Sequence, residues 1–168
     1  AAWTELFDGE TVNGWTSRGD GRWVVEDGYI TTTPRTGGGF LVTTEDFEDF
    51  RLQVEFWADT AANGGVFVGV PDTGEINSTN SFEINIFDAH DLWPTGSISE
   101  LHRHDDPQTV GRWSTLDITV QGDHMMVSLD GEQTADVRGS RGPTGHIALQ
   151  HHLGDGVIRY RNIRLIRF

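Results

Sequence analysis

A chain of 168 residues is long enough to build one substantial hydrophobic core. Its 12 basic residues are all arginine and face 26 acidic ones, and a formal charge of −14 argues against nucleic acid and anionic membrane surfaces as partners. Without cysteine there is no disulfide framework, thiolate metal site or thiol nucleophile, and no apolar run reaches the about 18 residues of a membrane-inserted helix.

Glycine is abundant, at 21 residues, and aromatics supply 10%. With no long amphipathic helical pattern, this predicts an all-β protein with tight turns. The opening, AAWTELFDG, reads as a mature end left after cleavage or as the edge of a piece of chain. A bacterial periplasmic or extracellular location is expected. Residues 3–7 read as a short first strand. GRWVVEDGYITTT reads as a hairpin: Trp23 to Glu26, a turn at Asp27-Gly28 that needs positive φ, then Tyr29 to Thr33. GGGFLVTTEDFEDF starts loose and becomes strand-like. FRLQVEFWAD is the clearest strand, with Phe50, Leu52, Val54 and Phe56 on one face and Arg51, Gln53, Glu55 and Trp57 on the other. GGVFVGV is a buried strand. In SFEINIFD, Phe82, Ile84 and Ile86 take the core face, and Glu83, Asn85 and Phe87 the open one.

Residues 89–110 lack a pattern, and a loop of that length in a compact domain is usually functional or mobile. RWSTLDITVQGDHMMVSLDGEQ reads as a long hairpin turning at Gly122-Asp123, with Leu116, Ile118 and Val120 inward. GHIALQHH and VIRYRNIRLIRF supply the last strands. Roughly ten or more strands, spaced about 8–12 residues apart, predict a jelly-roll sandwich of two antiparallel sheets, with residues 1–168 as one domain.

Seven segments, in order along nearly the whole chain, resemble the 3-keto-disaccharide hydrolase domain family. LFDGETVNGW is similar to that family's LFNGK-L-GW opening, WVVEDGYI to W-VEDG-L, and ANGGVFV to NSGIF. FEINIFD is similar to -E-QILD, and TGSIS to -GSIY. The 111–133 hairpin and the tail GHIALQHH…RYRNIRLI match the remaining two segments. The resemblance implies a concanavalin A-like jelly roll. It also implies a carbohydrate substrate: a glycoside whose ring carries a ketone at C3. Such a ketone acidifies the C2 hydrogen, so a base can remove it, the anomeric substituent can leave by β-elimination, and water can add. The site needs a base, a donor for the enolate oxygen and an acid for the leaving group.

By this resemblance Glu83 matches the motif glutamate and His152 the motif histidine; together they are the expected acid/base pair. Asn85 stands where the family has Gln, and His151 where it has Asp. Asn85, Gln150 and His151 are expected to contact the sugar. Trp57, Phe87 and Trp93 are expected to form a platform for pyranose faces. Glu100, His102 and His104 sit on the irregular loop; His-X-His spacing also suits a metal, but a polar lid is the plainer reading. Asp88 is expected to bind nearby backbone amides. No cofactor is required by this chemistry, and a structural calcium ion is compatible with the many Asp residues. Two departures stand out: Gly69 replaces an Arg and Ser99 an aromatic residue. Two other readings stay open. One is a carbohydrate-binding module without chemistry. The other is a conventional glycoside hydrolase, in which Glu83 pairs with Glu55 or Glu100 at about 5–5.5 Å for retention or about 6.5–9.5 Å for inversion.

Overall fold

The computed structural model describes residues 2–33, 36–139, 144–152, 154 and 156–168. Among them the chain forms thirteen strands and no helix. In order these are β1 (Thr4–Glu5), β2 (Trp15–Gly19), β3 (Trp23–Glu26), β4 (Tyr29–Thr32), β5 (Gly39–Thr43), β6 (Phe50–Ala58) and β7 (Gly64–Val70). Then follow β8 (Phe82–Ile86), β9 (Trp113–Gln121), β10 (His124–Leu129), β11 (Glu132–Arg138), β12 (His146–His151) and β13 (Ile158–Arg167). They pair into two antiparallel sheets. The larger runs β11-β10-β9-β6-β13-β4-β3, with β1 also on β13; the smaller runs β2-β5-β12-β7-β8.

Period-two alternation gives each strand one apolar face, and the two apolar faces meet. From the larger sheet come Phe50, Leu52, Val54 and Phe56 of β6, with Leu116, Ile118 and Val120 of β9, all fully buried. From the smaller sheet come Leu41, Val66, Ile84, Ile86 and Leu149. Each such side chain contributes about 1.5–3 kcal/mol on leaving water. The expected hairpin at Asp27-Gly28 forms with φ of 46° and 79°, and the same device closes β10–β11 at Asp130-Gly131.

Two strands carry no readable alternation. The edge strand β2, WTSRG, buries only Trp15. In β11 a register shift opposite Val127/Ser128 places Thr134 and Ala135 both out of water. The expected first strand shrinks to Thr4–Glu5, because only those residues pair with β13.

Every residue of β7 is buried, which alternation against one core does not explain. The reason is a second apolar layer on the outer face of the smaller sheet. Segment 71–81 folds over it, and Ile76 packs with Val42, Phe67, Val70 and Ala148. The segment is tied down at its start. Arg18 donates to the carbonyls of Pro71 (3.2 Å) and Asp72 (2.5 Å). His146 faces only oxygens: Nδ1 lies 2.8 Å from Thr43 O and 2.9 Å from Glu45 O, and Nε2 2.5 Å from an Asp72 carboxylate oxygen. Both ring nitrogens therefore face acceptors, an arrangement that favours the imidazolium. Burial works against that charge, but the bonds to Asp72 and the two carbonyls outweigh it and raise the pKa. Gly69, one of the two departures, has φ of 67° where the β7–β12 register shifts. A side chain there would be strained.

Candidate active site

Backbone packing shapes the part of the smaller sheet's outer face beyond segment 71–81. Gly64 points inward. A Cβ there would lie 2.8 Å from the Tyr160 hydroxyl and 2.9 Å from Gln150 O, and would overlap Ile158. Tyr160 reaches across the core from β13. Its hydroxyl donates to Gln150 O (2.6 Å) and accepts from the Gly65 N–H (3.2 Å). Burial pushes this phenol well above its ordinary pKa, so it serves as a neutral staple under the floor. Gly65 points outward, where a Cβ would meet Phe67 and the Gln150 side-chain oxygen at 3.4 Å. Asn85 and Gln150 are paired with it in register, one on each side.

Register brings Glu83, Asn85 and Gln150 to this one face. Residue 152 continues the outward parity of Gln150, and the His152 N–H bonds Asn63 O at 2.8 Å. The Gln150 side-chain oxygen is buried with no partner among the described residues. Glu83 is half-buried because segment 96–99 pairs along the free edge of β8. Asn85 N–H donates to Ser97 O (3.0 Å), and Ser99 N–H to Glu83 O (2.9 Å). This cover has an electrostatic cost. Burial pushes the Glu83 carboxyl above the ordinary carboxylate value, and the nearby Glu100 charge adds to the rise. The Ser99 hydroxyl and the His152 ring nearby counter it only in part. Ser99, the other departure, is thus paired through its backbone with Glu83.

His90 closes one side. Its Nδ1 accepts from the backbone N–H groups of Leu92 (3.1 Å) and Trp93 (2.8 Å). Its ring meets Phe87 edge-on at 6.0 Å. Beyond it opens a cleft of about 560 Å³, lined by Thr60, Asp88, His90, Asp91, Arg103 and Gln108 among others. Arg103 holds the rim by donating to the carbonyls of Asp91 (2.5 Å) and Leu92 (3.1 Å). Asp88 takes the structural part expected of it, accepting from Thr109 N–H (2.7 Å) and its hydroxyl (2.6 Å).

Not every expected site residue is here. Trp57 is corrected: it lies on the outer face of the larger sheet, under the Arg159 guanidinium at 4.4 Å. Glu55 lies on that face too, bonded to Arg161 and Asn162, so it cannot pair with Glu83. His151 is corrected: one residue of parity turns it inward, where it is 5% exposed and its Nε2 meets Gly156 O at 2.9 Å. Asn85 is on the right face but braces the loop, with its amide donating to Trp93 O at 2.5 Å. Trp93 and Phe87 are half-buried beside His90. Glu100 is exposed with φ of 71°. His102 is exposed and pairs through its backbone with Ile98. The His104 N–H bonds the Ser97 hydroxyl at 2.9 Å. Among the described residues no three His, Asp or Glu side chains converge to hold a metal ion.

Sequence reasoning misses the parts played by His90, Ser99 and Tyr160. A histidine just before Asp-Leu-Trp-Pro offers a local signal, since its ring can cap N–H groups two and three residues on. Ser99 and Tyr160 reach the site through tertiary pairing and leave none.

Residues 2–166 match the family model described as the 3-keto-alpha-glucoside-1,2-lyase-like domain. A protein of Bacteroides thetaiotaomicron named 3-keto-disaccharide hydrolase is 34% identical over 73 residues, 37% of this chain. The match spans only 25% of that protein's length. A provisionally assigned glycosyl hydrolase of Parabacteroides distasonis has the same fold, with a TM-score of 0.84, 24% identity and 100% of each chain covered. The carbohydrate binding module CBM66 from Bacillus subtilis superposes at a TM-score of 0.71, with 19% identity over 89% of this chain and 93% of its own. The fold is the expected concanavalin A-like jelly roll.

Proposed function

The chain belongs to the 3-keto-alpha-glucoside-1,2-lyase-like domain family, and from that premise we propose that it cleaves glycosides oxidised to a ketone at C3. The observation that carries this reading is Glu83: a half-buried carboxylate of raised pKa with two histidines nearby, on the same sheet face as Asn85 and Gln150. A carboxylate made more basic is a better acceptor for a carbon-bound proton, and the basicity best suited to catalysis lies near the working pH.

The Glu83 carboxylate takes the C2 proton, and the C–H electron pair moves into the C2–C3 bond as the ketone becomes an enolate. The pair then returns to form C1=C2, and the C1–O bond breaks towards the leaving group. His152, exposed at the end of β12, gives that oxygen its proton. Water adds across C1=C2, with hydroxyl to C1 and hydrogen to C2, for overall hydrolysis; release before addition gives the lyase outcome. Gln150, with its buried oxygen unpartnered among the described residues, is suited to a sugar hydroxyl over Gly65.

A second reading is a carbohydrate-binding module with the same floor and no chemistry; the likeness in fold to CBM66 supports it. The two-carboxylate glycosidase is weakened by Glu55 lying on the other sheet, which leaves Glu100 as the candidate partner. One assay separates the three. The protein is incubated with a 3-keto-glucoside and with the parent glucoside, and released aglycone is measured. Release from the keto sugar alone is expected. Release from the parent glucoside would instead identify a glycosidase, and binding without release a binding module.

A further inference from the structure

His90 has no assigned part in the chemistry above, yet its surroundings define its protonation more sharply than those of the other site residues. Two backbone N–H groups, from Leu92 and Trp93, point at Nδ1. A hydrogen on Nδ1 would face two donors, so that nitrogen presents its lone pair. The ring hydrogen is then on Nε2. The contrast with His146 is instructive: its nitrogens face carbonyls and a carboxylate. The same side chain meets only acceptors in one place and two N–H donors at Nδ1 in the other.

The ring is also fixed in direction. Phe87 meets it edge-on, and Trp93, which caps it, is held through its carbonyl by the Asn85 amide. With Nδ1 turned to the loop backbone, Nε2 lies on the far side of the ring. Glu83, Asn85 and Phe87 follow one another on the outward parity of β8, the His90 ring packs on Phe87, and it also lines the adjoining cleft. A ring fixed on this face beside the cleft offers its distal nitrogen to a ligand that reaches the strand carboxylate.

We propose that His90 is a catalytic residue, whose Nε2–H donates a hydrogen bond to the C3 oxygen of the keto sugar as that oxygen becomes an enolate. This rests on the reading of Glu83 as the C2 base. A neutral donor is well matched to this role, because it steadies the developing oxyanion without placing a cation beside the carboxylate that must accept the proton. No proton leaves His90. The C2 proton goes to Glu83, and the C–H electron pair reaches O3 through the C2–C3 bond.

Two substitutions separate this role from that of a loop cap. In His90→Asn the amide oxygen can take the place of Nδ1 and keep the Leu92 and Trp93 bonds, but the distal donor is lost. In His90→Gln the amide nitrogen can take the place of Nε2, but the cap is lost. The reaction to follow is C2 hydrogen–deuterium exchange in a 1-deoxy-3-keto-glucose, which has no aglycone to expel. His90→Asn is expected to slow exchange by about 10²–10³-fold with an unchanged melting temperature. His90→Gln should keep more of the exchange and melt lower. Nitrogen-15 spectra of the wild type should place the ring hydrogen on Nε2. The proposal is overturned if His90→Asn exchanges at the wild-type rate, or if the hydrogen is on Nδ1. If the wild type itself exchanges nothing, the base assigned to Glu83 fails first and this role with it.

Discussion

The outer faces of the two sheets carry the same kinds of residues and treat them in opposite ways. On the larger sheet, Asp117 accepts from Arg51 (2.8 Å) and Gln53 (2.8 Å), while Arg164 donates to the Gln53 oxygen (2.8 Å). Arg159, Arg161 and Arg164 stack on Trp57, Trp113 and Trp3. Burial alone would raise the Asp117 pKa, yet its partners outweigh that and lower it. On the smaller sheet, Glu83 has a serine hydroxyl and two histidines nearby but no arginine among the influences on its charge, and burial wins. Two strand carboxylates, both sheltered from water, end on opposite sides of their ordinary values. The difference lies in which partners the register supplies. A face whose charges satisfy each other is a stable surface; a face that leaves a carboxylate undersatisfied keeps reactivity in reserve.

Substitutions can break this contrast, and the largest effect belongs to Glu83. Glu83→Gln should lower turnover of a 3-keto-glucoside by about 10³-fold or more, the scale of losing a positioned base. It should also stabilise the fold at neutral pH. With its pKa raised in the folded state, Glu83 costs stability as pH climbs from the ordinary value of 4.5 through the raised one. Removing the charge removes that cost, and melting curves at pH 4 and pH 8 check it: the variant's advantage should appear at the higher pH.

Next comes the floor. Gly64→Ala should destabilise the protein by about 1–3 kcal/mol in urea unfolding, since a methyl group there overlaps Ile158 and crowds the Tyr160 hydroxyl. A smaller effect is expected on the other sheet. Asp117→Asn weakens the bonds from Arg51 and Gln53, and should cost about 1 kcal/mol while leaving turnover unchanged. A loss of activity there would erase the distinction between the faces.

The smallest effect concerns the latch on segment 71–81. His146 has a raised pKa, so its contribution is full below the ordinary histidine value of 6.5 and is lost as pH rises through the folded-state value. Amide exchange in residues 71–76 should therefore speed up across that window beyond the intrinsic base-catalysed rate. His146→Gln should flatten the excess.

Much of this was legible in the sequence, for a simple reason. Period-two alternation identifies a strand and its buried face, so β6, β8 and β9 follow from their side chains alone. Alternation does not say which sheet a strand joins. Trp57 and Glu83 are both outward-facing, yet they sit on opposite sides of the molecule. Neither does a paired motif fix its own parity. His151 and His152 are adjacent, and only the pairing of His151 with Gly64 decides that the first turns inward. Ser99 read as a lost aromatic contact, because its bond to Glu83 depends on segment 96–99 lying along β8.

A carbon-13 titration of the side-chain carboxyls of Glu83 and Asp117 in one sample probes the contrast at its root. Glu83 is expected to titrate above 4.5 and Asp117 below 3.8, the ordinary values for their types, with a 3-keto sugar perturbing the Glu83 signal alone. A Glu83 midpoint at or below its ordinary value, with no response to the sugar, would contradict the proposed role of this carboxylate.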